Sequence, residues 1–341
     1  MRNRMSVLRP GPENTKLTIC VWHTFDQWRP KAAMADAIRR RWPQMRVVHL
    51  PDYSCLPKEL PDTDVFVGYS LRPQQLTDAR KLKWIHSTAS GVAQLMYPEL
   101  RDSDIEVTNP RGIFAVPMAE HAMGLLLALA RNFPDSVRHQ DRTHWGQQEI
   151  WDQPQHLTEL NAQRLLIVGF GSIGQELARR ARAFGMTVWA VNRSGREESG
   201  LAEKVVPVSR MHEVLPDADF VAIAAPETVE TKHLIGAAEL ARMKATARLI
   251  NLARGSLIDE GALIQALQQN QLGGAALDVT STEPLPPESP LWRAPRLFIT
   301  PHTSAVSDRL WTRQTEILLR LLEKWFAGEP LFNRVDFLKG Y

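Results

Sequence analysis

An apolar run, Leu165-Leu-Ile-Val168, ends directly in Gly169-Phe-Gly171-Ser-Ile-Gly174, and a helical pattern begins there. No other feature constrains the fold of this chain as strongly. The run reads as a buried strand. Gly169 permits a tight turn, Gly171 lets a pyrophosphate approach the backbone, and Gly174 lets helix and strand pack closely. Ser172 and Ile173 open the helix, whose first N–H groups and partial positive charge suit an anion. Strand, glycine turn and helix in this order predict a doubly wound parallel sheet with a dinucleotide at its edge.

The rest of the chain repeats the alternation. Further strands are expected at 187–191, 220–224, 248–251, 275–279 and 297–300, separated by helical patterns at 173–184, 211–215, 237–243 and 260–268. Upstream, 17–22, 46–50, 65–67 and 84–87 read as strands, with helices at 31–41 and 73–81. Alternation of this kind gives α/β units with helices on both faces of a parallel sheet. A chain of 341 residues is long enough for two such domains. Residues 116–132 are apolar nearly all round and read as a buried helix at a domain junction or subunit interface. Residues 309–326 form an amphipathic helix expected to pack back on the first unit. The expected domains are therefore 1–111 plus 306–341, and 112–305.

Composition excludes several classes. The charge is +3, from 41 basic and 38 acidic side chains, and no basic stripe suggests nucleic acid. The longest apolar run, 122–130, is too short for a membrane span of about 20 residues. The first sixteen residues lack the apolar stretch of a secretory signal and read as a tail. Cys20 and Cys55 are the only cysteines. They form neither a disulfide framework nor a metal spacing, so a cytoplasmic protein without a metal is expected.

The second strand of the nucleotide unit bears on the cofactor. An acidic residue about 20 positions beyond the glycines binds the ribose 2′-OH of NAD. Here Asn192, Arg193 and Ser194 hold that place. Without a carboxylate to repel a 2′-phosphate, and with Arg193 to bind it, NADP is favoured over NAD. An arginine here also stacks on adenine in either cofactor.

Three later strands are each followed by a reactive side chain: Arg254 after 248–251, Glu283 after 275–279, and His302 after 297–300. Ligands bind at this carboxyl edge of the sheet. Taken singly, each has an ordinary reading as a surface charge or a loop residue. Together they supply a guanidinium for a carboxylate, an imidazole for proton transfer and a carboxylate to orient it.

Their order and spacing resemble those of the D-isomer-specific 2-hydroxyacid dehydrogenase family. The resemblance covers nearly the whole chain and is strongest from Glu120 to Ala305. It rests on residues 251–255, 277–279, 283–285 and 300–302, with 29 positions from Arg254 to Glu283 and 19 from Glu283 to His302. The resemblance implies a Rossmann-type cofactor domain and a flavodoxin-like substrate domain, with the active site in the cleft between them. It also implies hydride transfer between NADP(H) or NAD(H) and a small 2-keto or 2-hydroxy acid. In that reading Arg254 binds substrate, His302 is the acid/base and Glu283 pairs with it. Asp278 faces the nicotinamide carboxamide, and Ala225, Pro226 and Ser304 complete the cofactor contacts.

Ser90, Gly91 and Val92 match the family's substrate turn, a plausible anion nest. Tyr69, Leu71 and Arg72 are expected to shape the side-chain site, although Arg72 reads equally well as a solvated charge. Glu120 and His121 read as structural, and Trp145 and Trp151 as parts of the arm that joins a homodimer. There are departures. Thr303-Ser-Ala-Val306 replaces a glycine-richer turn, and Asn161-Ala-Gln163 lacks a glycine. Glutamate at 283 speaks against the formate-oxidising branch, which has an amide there. Glyoxylate/hydroxypyruvate reductase is the leading expectation, supported by the ending Lys339-Gly-Tyr341. A 3-phosphoglycerate dehydrogenase with Arg72 on the phosphate is an alternative. A dinucleotide-sensing co-regulator is the alternative of another class.

Overall fold

The computed structural model describes residues 9–153, 157–197 and 199–337. Lys339-Gly-Tyr341 and residues 1–8 of the expected tail lie outside them. The chain divides into two compact units, residues 1–113 with 307–341 and residues 114–306.

The first unit is a five-stranded sheet. Its strands are β1 (Lys16–Cys20), β2 (Arg46–Leu50), β3 (Val65–Gly68), β4 (Trp84–Ser87) and β5 (Glu106–Thr108), in the order β2-β1-β3-β4-β5. Every pairing is parallel. This is the flavodoxin-like order. Strand residues alternate between two cores because successive side chains point to opposite faces. Leu17, Ile19, Val65, Val67 and Trp84 pack with the Ala32–Arg41 helix and with Leu318, Leu321, Leu322 and Trp325 of the Leu310–Phe326 helix. Phe66, Ile85 and Val107 pack on the other face. Trp84 and Trp325 stack with centroids 5.3 Å apart. The last helix therefore belongs to the first unit, which its apolar stripe demanded.

The second unit has seven strands: β6 (Arg164–Val168), β7 (Thr187–Asn192), β8 (Lys204–Pro207), β9 (Phe220–Ile223), β10 (Arg248–Asn251), β11 (Gly274–Leu277) and β12 (Leu297–Ile299). They run in the order β12-β11-β10-β9-β6-β7-β8, with all pairings parallel. The order reverses at β6, the strand that feeds the glycine turn. Leu165 and Ile167 face one core, with the Ala115–Ala130 and Ser172–Ala183 helices. Leu166 and Val168 face the other. Burial on both faces explains why these strands read as continuous apolar runs.

Three expectations need correction. Strands β5 and β8 were not anticipated, being three and four residues long and beginning with a charge. Residues 211–215 are not an α-helix; Val208–Glu213 and Leu215–Asp217 are 3-10 turns, the second opened by a proline pair partner, Leu215-Pro216. The expected helix at 237–243 shortens to Ala237–Leu240.

Candidate active site

The glycine turn is built as its spacing requires. Gly169 has φ +99°, and a Cβ there would lie 2.4 Å from the Ala225 amide nitrogen. Only glycine allows both the backbone angle and the contact. Ala225 is thus buried against the turn, while Pro226 beyond it is exposed. A Cβ at Gly174 would lie 2.4 Å from the Gly169 carbonyl oxygen. At Gly171, by contrast, a Cβ would meet nothing within 4 Å. Gly171 is the N-cap of the Ser172–Ala183 helix and makes no side-chain cap. The helix therefore presents first-turn N–H groups to open space, with Ser172 exposed and Ile173 half-buried. This cradle fits a pyrophosphate.

At the end of β7 the Asn192 side chain is already occupied. Its Oδ1 accepts from Gly195 N at 2.7 Å and Ser194 Oγ at 3.2 Å, and its Nδ2 donates to the Arg196 carbonyl at 2.7 Å. Asn192 is the clamp of this loop rather than a ribose ligand waiting in the place of an acid. It leaves Arg193, Ser194 and Arg196 exposed along the loop. Glu230 stands near; its carboxyl is held below the ordinary range by the Thr228 hydroxyl first, with Arg193 contributing. Arg196, a second cation in the loop, was not anticipated, because only the fold of the loop brings it beside Ser194.

The three reactive side chains leave neighbouring strands, β10, β11 and β12. Glu283 Oε2 lies 2.6 Å from His302 Nδ1, and Glu283 Oε1 accepts from Thr280 N at 3.0 Å. One carboxylate thus spans the imidazole and its own loop. Since Nδ1 is engaged, Nε2 is the nitrogen left to meet a ligand. Arg254 is exposed, with Nη1 on the carbonyl of Ala253 at 2.7 Å. Next to it, Gly255 makes the closest backbone approach in this region. A Cβ there would fall 2.0 Å from the Thr280 carbonyl carbon and 2.2 Å from Ser281 N. The arginine loop and the glutamate loop therefore touch through bare backbone.

Asp278 differs from the expected picture. Its side chain is fully buried, and three donors converge on it: Thr300 Oγ1 at 2.6 Å and Thr303 N at 3.0 Å on Oδ1, and Ser304 N at 3.0 Å on Oδ2. Burial pushes its carboxyl up, but these hydrogen bonds outweigh burial and hold it below the ordinary value. Its carbonyl also receives His302 N at 2.9 Å. Asp278 therefore holds the 300–304 turn, in which His302 takes a left-handed φ of +52°. Ser304, buried, contributes its backbone N–H to this arrangement.

His121 of the Ala115–Ala130 helix joins the same network. Its Nε2 lies 3.0 Å from Thr300 Oγ1 and 3.5 Å from Asp278 Oδ1. The Thr300 hydroxyl spends its one proton on Asp278, so His121 donates to it. Burial lowers the His121 pKa, and Asp278 opposes that shift. Glu120, its neighbour, pairs instead with Arg180 at 3.2 Å.

In the first unit, β4 leads into a turn where Ser87 Oγ and Ala89 N are 3.2 Å apart. Gly91 is exposed beyond it and Ser90 half-buried. Val92 and Leu71 are both buried in the core, so their side chains do not line a ligand site. This corrects the expectation for Leu71, whose apolar side chain was better used in packing. Tyr69 and Arg72 are exposed. Gln94 was missed. Its Nε2 donates to the carbonyls of Tyr69 at 2.8 Å and Gly91 at 3.4 Å, tying the two loops together.

Comparison with known proteins agrees with this arrangement. The family model for the NAD-binding domain of D-isomer specific 2-hydroxyacid dehydrogenases matches residues 123–304. A glyoxylate reductase of Korarchaeum cryptofilum is 30% identical over 98% of this chain and 96% of its own. A D-3-phosphoglycerate dehydrogenase of Methanocaldococcus jannaschii is 32% identical over 82% of this chain, which spans 53% of that longer protein. The crystal structure of a D-isomer specific 2-hydroxyacid dehydrogenase family protein from Aeromonas salmonicida is 34% identical. It superposes with a TM-score of 0.79 over 95% of this chain and 99% of its own.

Proposed function

The chain belongs to the D-isomer-specific 2-hydroxyacid dehydrogenase family, and from that premise we propose that it is an NADPH-preferring 2-keto acid reductase, with glyoxylate and hydroxypyruvate as leading substrates. That it is an oxidoreductase using a nicotinamide dinucleotide follows from the family. The observation that carries the site assignment is the 2.6 Å bond between Glu283 and His302 Nδ1.

Reduction needs a cation for the substrate carboxylate and a proton for the carbonyl oxygen. Arg254 offers a guanidinium with no carboxylate partner among the described residues, suited to bidentate binding of the substrate. His302, oriented through Nδ1, delivers a proton from Nε2 to the oxygen as the carbonyl π bond breaks. When bound, the reduced nicotinamide supplies the hydride to the carbonyl carbon. Glu283 balances the imidazolium before the transfer, and Asp278 keeps the His302 turn in place. In the first unit, the turn at Ser90 and Gly91 is the one that resembles the family's substrate turn.

The cofactor preference rests on Arg193, Ser194 and Arg196, with two guanidinium groups; the next carboxylate of the loop, Glu197, is taken up by the backbone N–H groups of Ser199 and Gly200. The glyoxylate reductase of Korarchaeum cryptofilum supports the substrate reading. The 3-phosphoglycerate alternative rests on Arg72 and the Methanocaldococcus relative. A homodimer fits the exposed apolar side chains Phe133, Val137, Trp145 and Trp151, gathered in one stretch of sequence. A cytoplasmic setting fits the two free cysteines; among the described residues no helix is long and apolar enough to cross a membrane.

The test is oxidation of NADPH and of NADH, followed by absorbance, with glyoxylate, hydroxypyruvate, pyruvate and phosphohydroxypyruvate, on the wild type and on His302→Ala. Rapid NADPH oxidation with glyoxylate or hydroxypyruvate, lost in the variant, supports the proposal. A preference for NADH refutes the reading of the loop. Cofactor binding without turnover of any of the acids favours the co-regulator.

A further inference from the structure

His302 sits in a left-handed backbone conformation, φ +52°, which a residue with a Cβ keeps only when its surroundings hold it there. Asp278 is the hub that does so. Its carboxylate accepts from Thr303 N and Ser304 N beyond His302, and its carbonyl receives His302 N. The remaining donor to the carboxylate is the Thr300 hydroxyl, which precedes His302. All these groups belong to residues 278–304. Among the side-chain hydrogen bonds of the described residues that reach Asp278, Thr300 or His302, one comes from outside that stretch. It joins His121 Nε2 to Thr300 Oγ1 at 3.0 Å.

His121 is presented by an element that cannot easily move. The Ala115–Ala130 helix buries Ala119, Ala122, Leu125 and Leu126 in one core with Leu165 and Ile167 of β6. Leu177, Ala178 and Ala181 of the helix after the glycine turn share that core. The direction of the chain of hydrogen bonds is fixed by its far end. An ionised carboxylate only accepts, so the Thr300 hydroxyl gives its proton to Asp278 and accepts from His121. A hydroxyl that accepts while it donates is a stronger donor. The imidazole itself lies 3.5 Å from Asp278 Oδ1, longer than a direct hydrogen bond. Its hold on the carboxylate therefore passes through the hydroxyl.

On the reductase reading above, we propose that His121 is a positioning residue for the proton transfer: its Nε2–H, relayed through the Thr300 hydroxyl to Asp278, fixes the turn that aims the His302 imidazole. No proton of the reaction runs through His121. A neutral donor at this place is sufficient, and a positive charge on the ring is not required.

Glutamine carries an N–H donor where the imidazole has Nε2, and leucine fills the space without one. The assay uses the 2-keto acid and cofactor of the panel above that the wild type turns over fastest. His121→Leu should lower kcat about fivefold, the worth of one hydrogen bond, with KM within about twofold. His121→Gln should stay within about twofold of wild type. Thr300→Val should lower kcat at least as far as His121→Leu does. Adding His121→Leu to it should cost less than about a further twofold, because the two groups act in series. A tie that only stabilises the fold would lower the melting temperature of the leucine variant and leave kcat per folded molecule unchanged, and that result overturns the proposal. So do equal losses in the leucine and glutamine variants, or a double variant whose loss is the product of the two. A readout without turnover is the histidine-ring NMR spectrum, with the His302 signal assigned by its disappearance in His302→Ala. That signal should shift in His121→Leu and return in His121→Gln; an unmoved signal overturns the proposal. If the wild type reduces no 2-keto acid, the reductase reading fails, and the His302 signal alone decides whether His121 sets the turn.

Discussion

His86, at the centre of β4, should make the protein acid-sensitive by a calculable amount. Its ring is fully buried, and Nε2 meets no hydrogen-bond partner among the described residues. Trp84 Nε1 and His86 Nδ1 both lie 2.8 Å from Thr108 Oγ1. Thr108 Oγ1 accepts from the indole N–H and shares a second hydrogen bond with Nδ1, and in either tautomer Nε2 stays buried without a partner among the described residues. Burial lowers the His86 pKa from 6.5 to about 3. The unfolded chain therefore takes up a proton below 6.5 that the folded chain refuses until about 3. Stability is whole above 6.5 and is lost as pH falls through that window. At 1.36 kcal/mol per pKa unit the loss approaches about 5 kcal/mol in full, and about 2 kcal/mol by about pH 5. The assay is urea unfolding followed by tryptophan fluorescence, at about pH 7.5 and about pH 5. His86→Asn keeps an acceptor for Thr108 without titrating, and it isolates this one group from every other. Wild type should lose about 2 kcal/mol more than the variant between the two conditions. Equal losses would mean that His86 is protonated in the folded chain, and the burial argument would be wrong.

Three further expectations concern the site. Gly255→Ala must push the 280–281 backbone away, so kcat/KM should fall about a hundredfold with a stability cost of about 1–3 kcal/mol; near-normal steady-state kinetics would refute the claim that the two loops are held by contact. Asp278→Asn sets an amide donor either against the Ser304 N–H or against the Thr303 N–H and the Thr300 hydroxyl, so kcat should drop about tenfold or more; an unchanged kcat would show that the His302 turn holds itself. Arg193→Ala should raise KM for NADPH about tenfold while leaving KM for NADH within about twofold, and parallel changes in both would remove the 2′-phosphate from the explanation.

Much of the molecule was open to reading because its chemistry is local. The Gly169–Gly174 turn follows from the strand before it and the helix after it, and the strands announce themselves by burial on both faces. Arg254, Glu283 and His302 were legible because each follows a strand at the ligand-binding edge. What escaped depends on contacts distant in sequence. Nothing near Asn192 shows that its amide is consumed by Ser194, Gly195 and Arg196, so it read only as the residue holding the place of a ribose-binding acid. Leu71 sits beside exposed Tyr69 and Arg72, and only the packed structure separates the buried residue from its neighbours. The link from His121 through Thr300 to Asp278 spans more than 150 positions. Strands β5 and β8 are too short, and too charged at their first residues, to stand out from loops.

The backbone contact at Gly255 limits where new specificity can arise. Directed changes around Arg254 or Glu283 perturb the two loops together, since neither can shift without the other. Libraries aimed at altered substrate choice belong instead in the loops after β1 and β3, where exposed side chains can be exchanged with little disturbance to a core. A collection of related chains should then show its variation concentrated at residues 22–29 and at Tyr69, Ser70 and Arg72, with position 255 nearly invariant; frequent larger residues at 255 would contradict this division of labour.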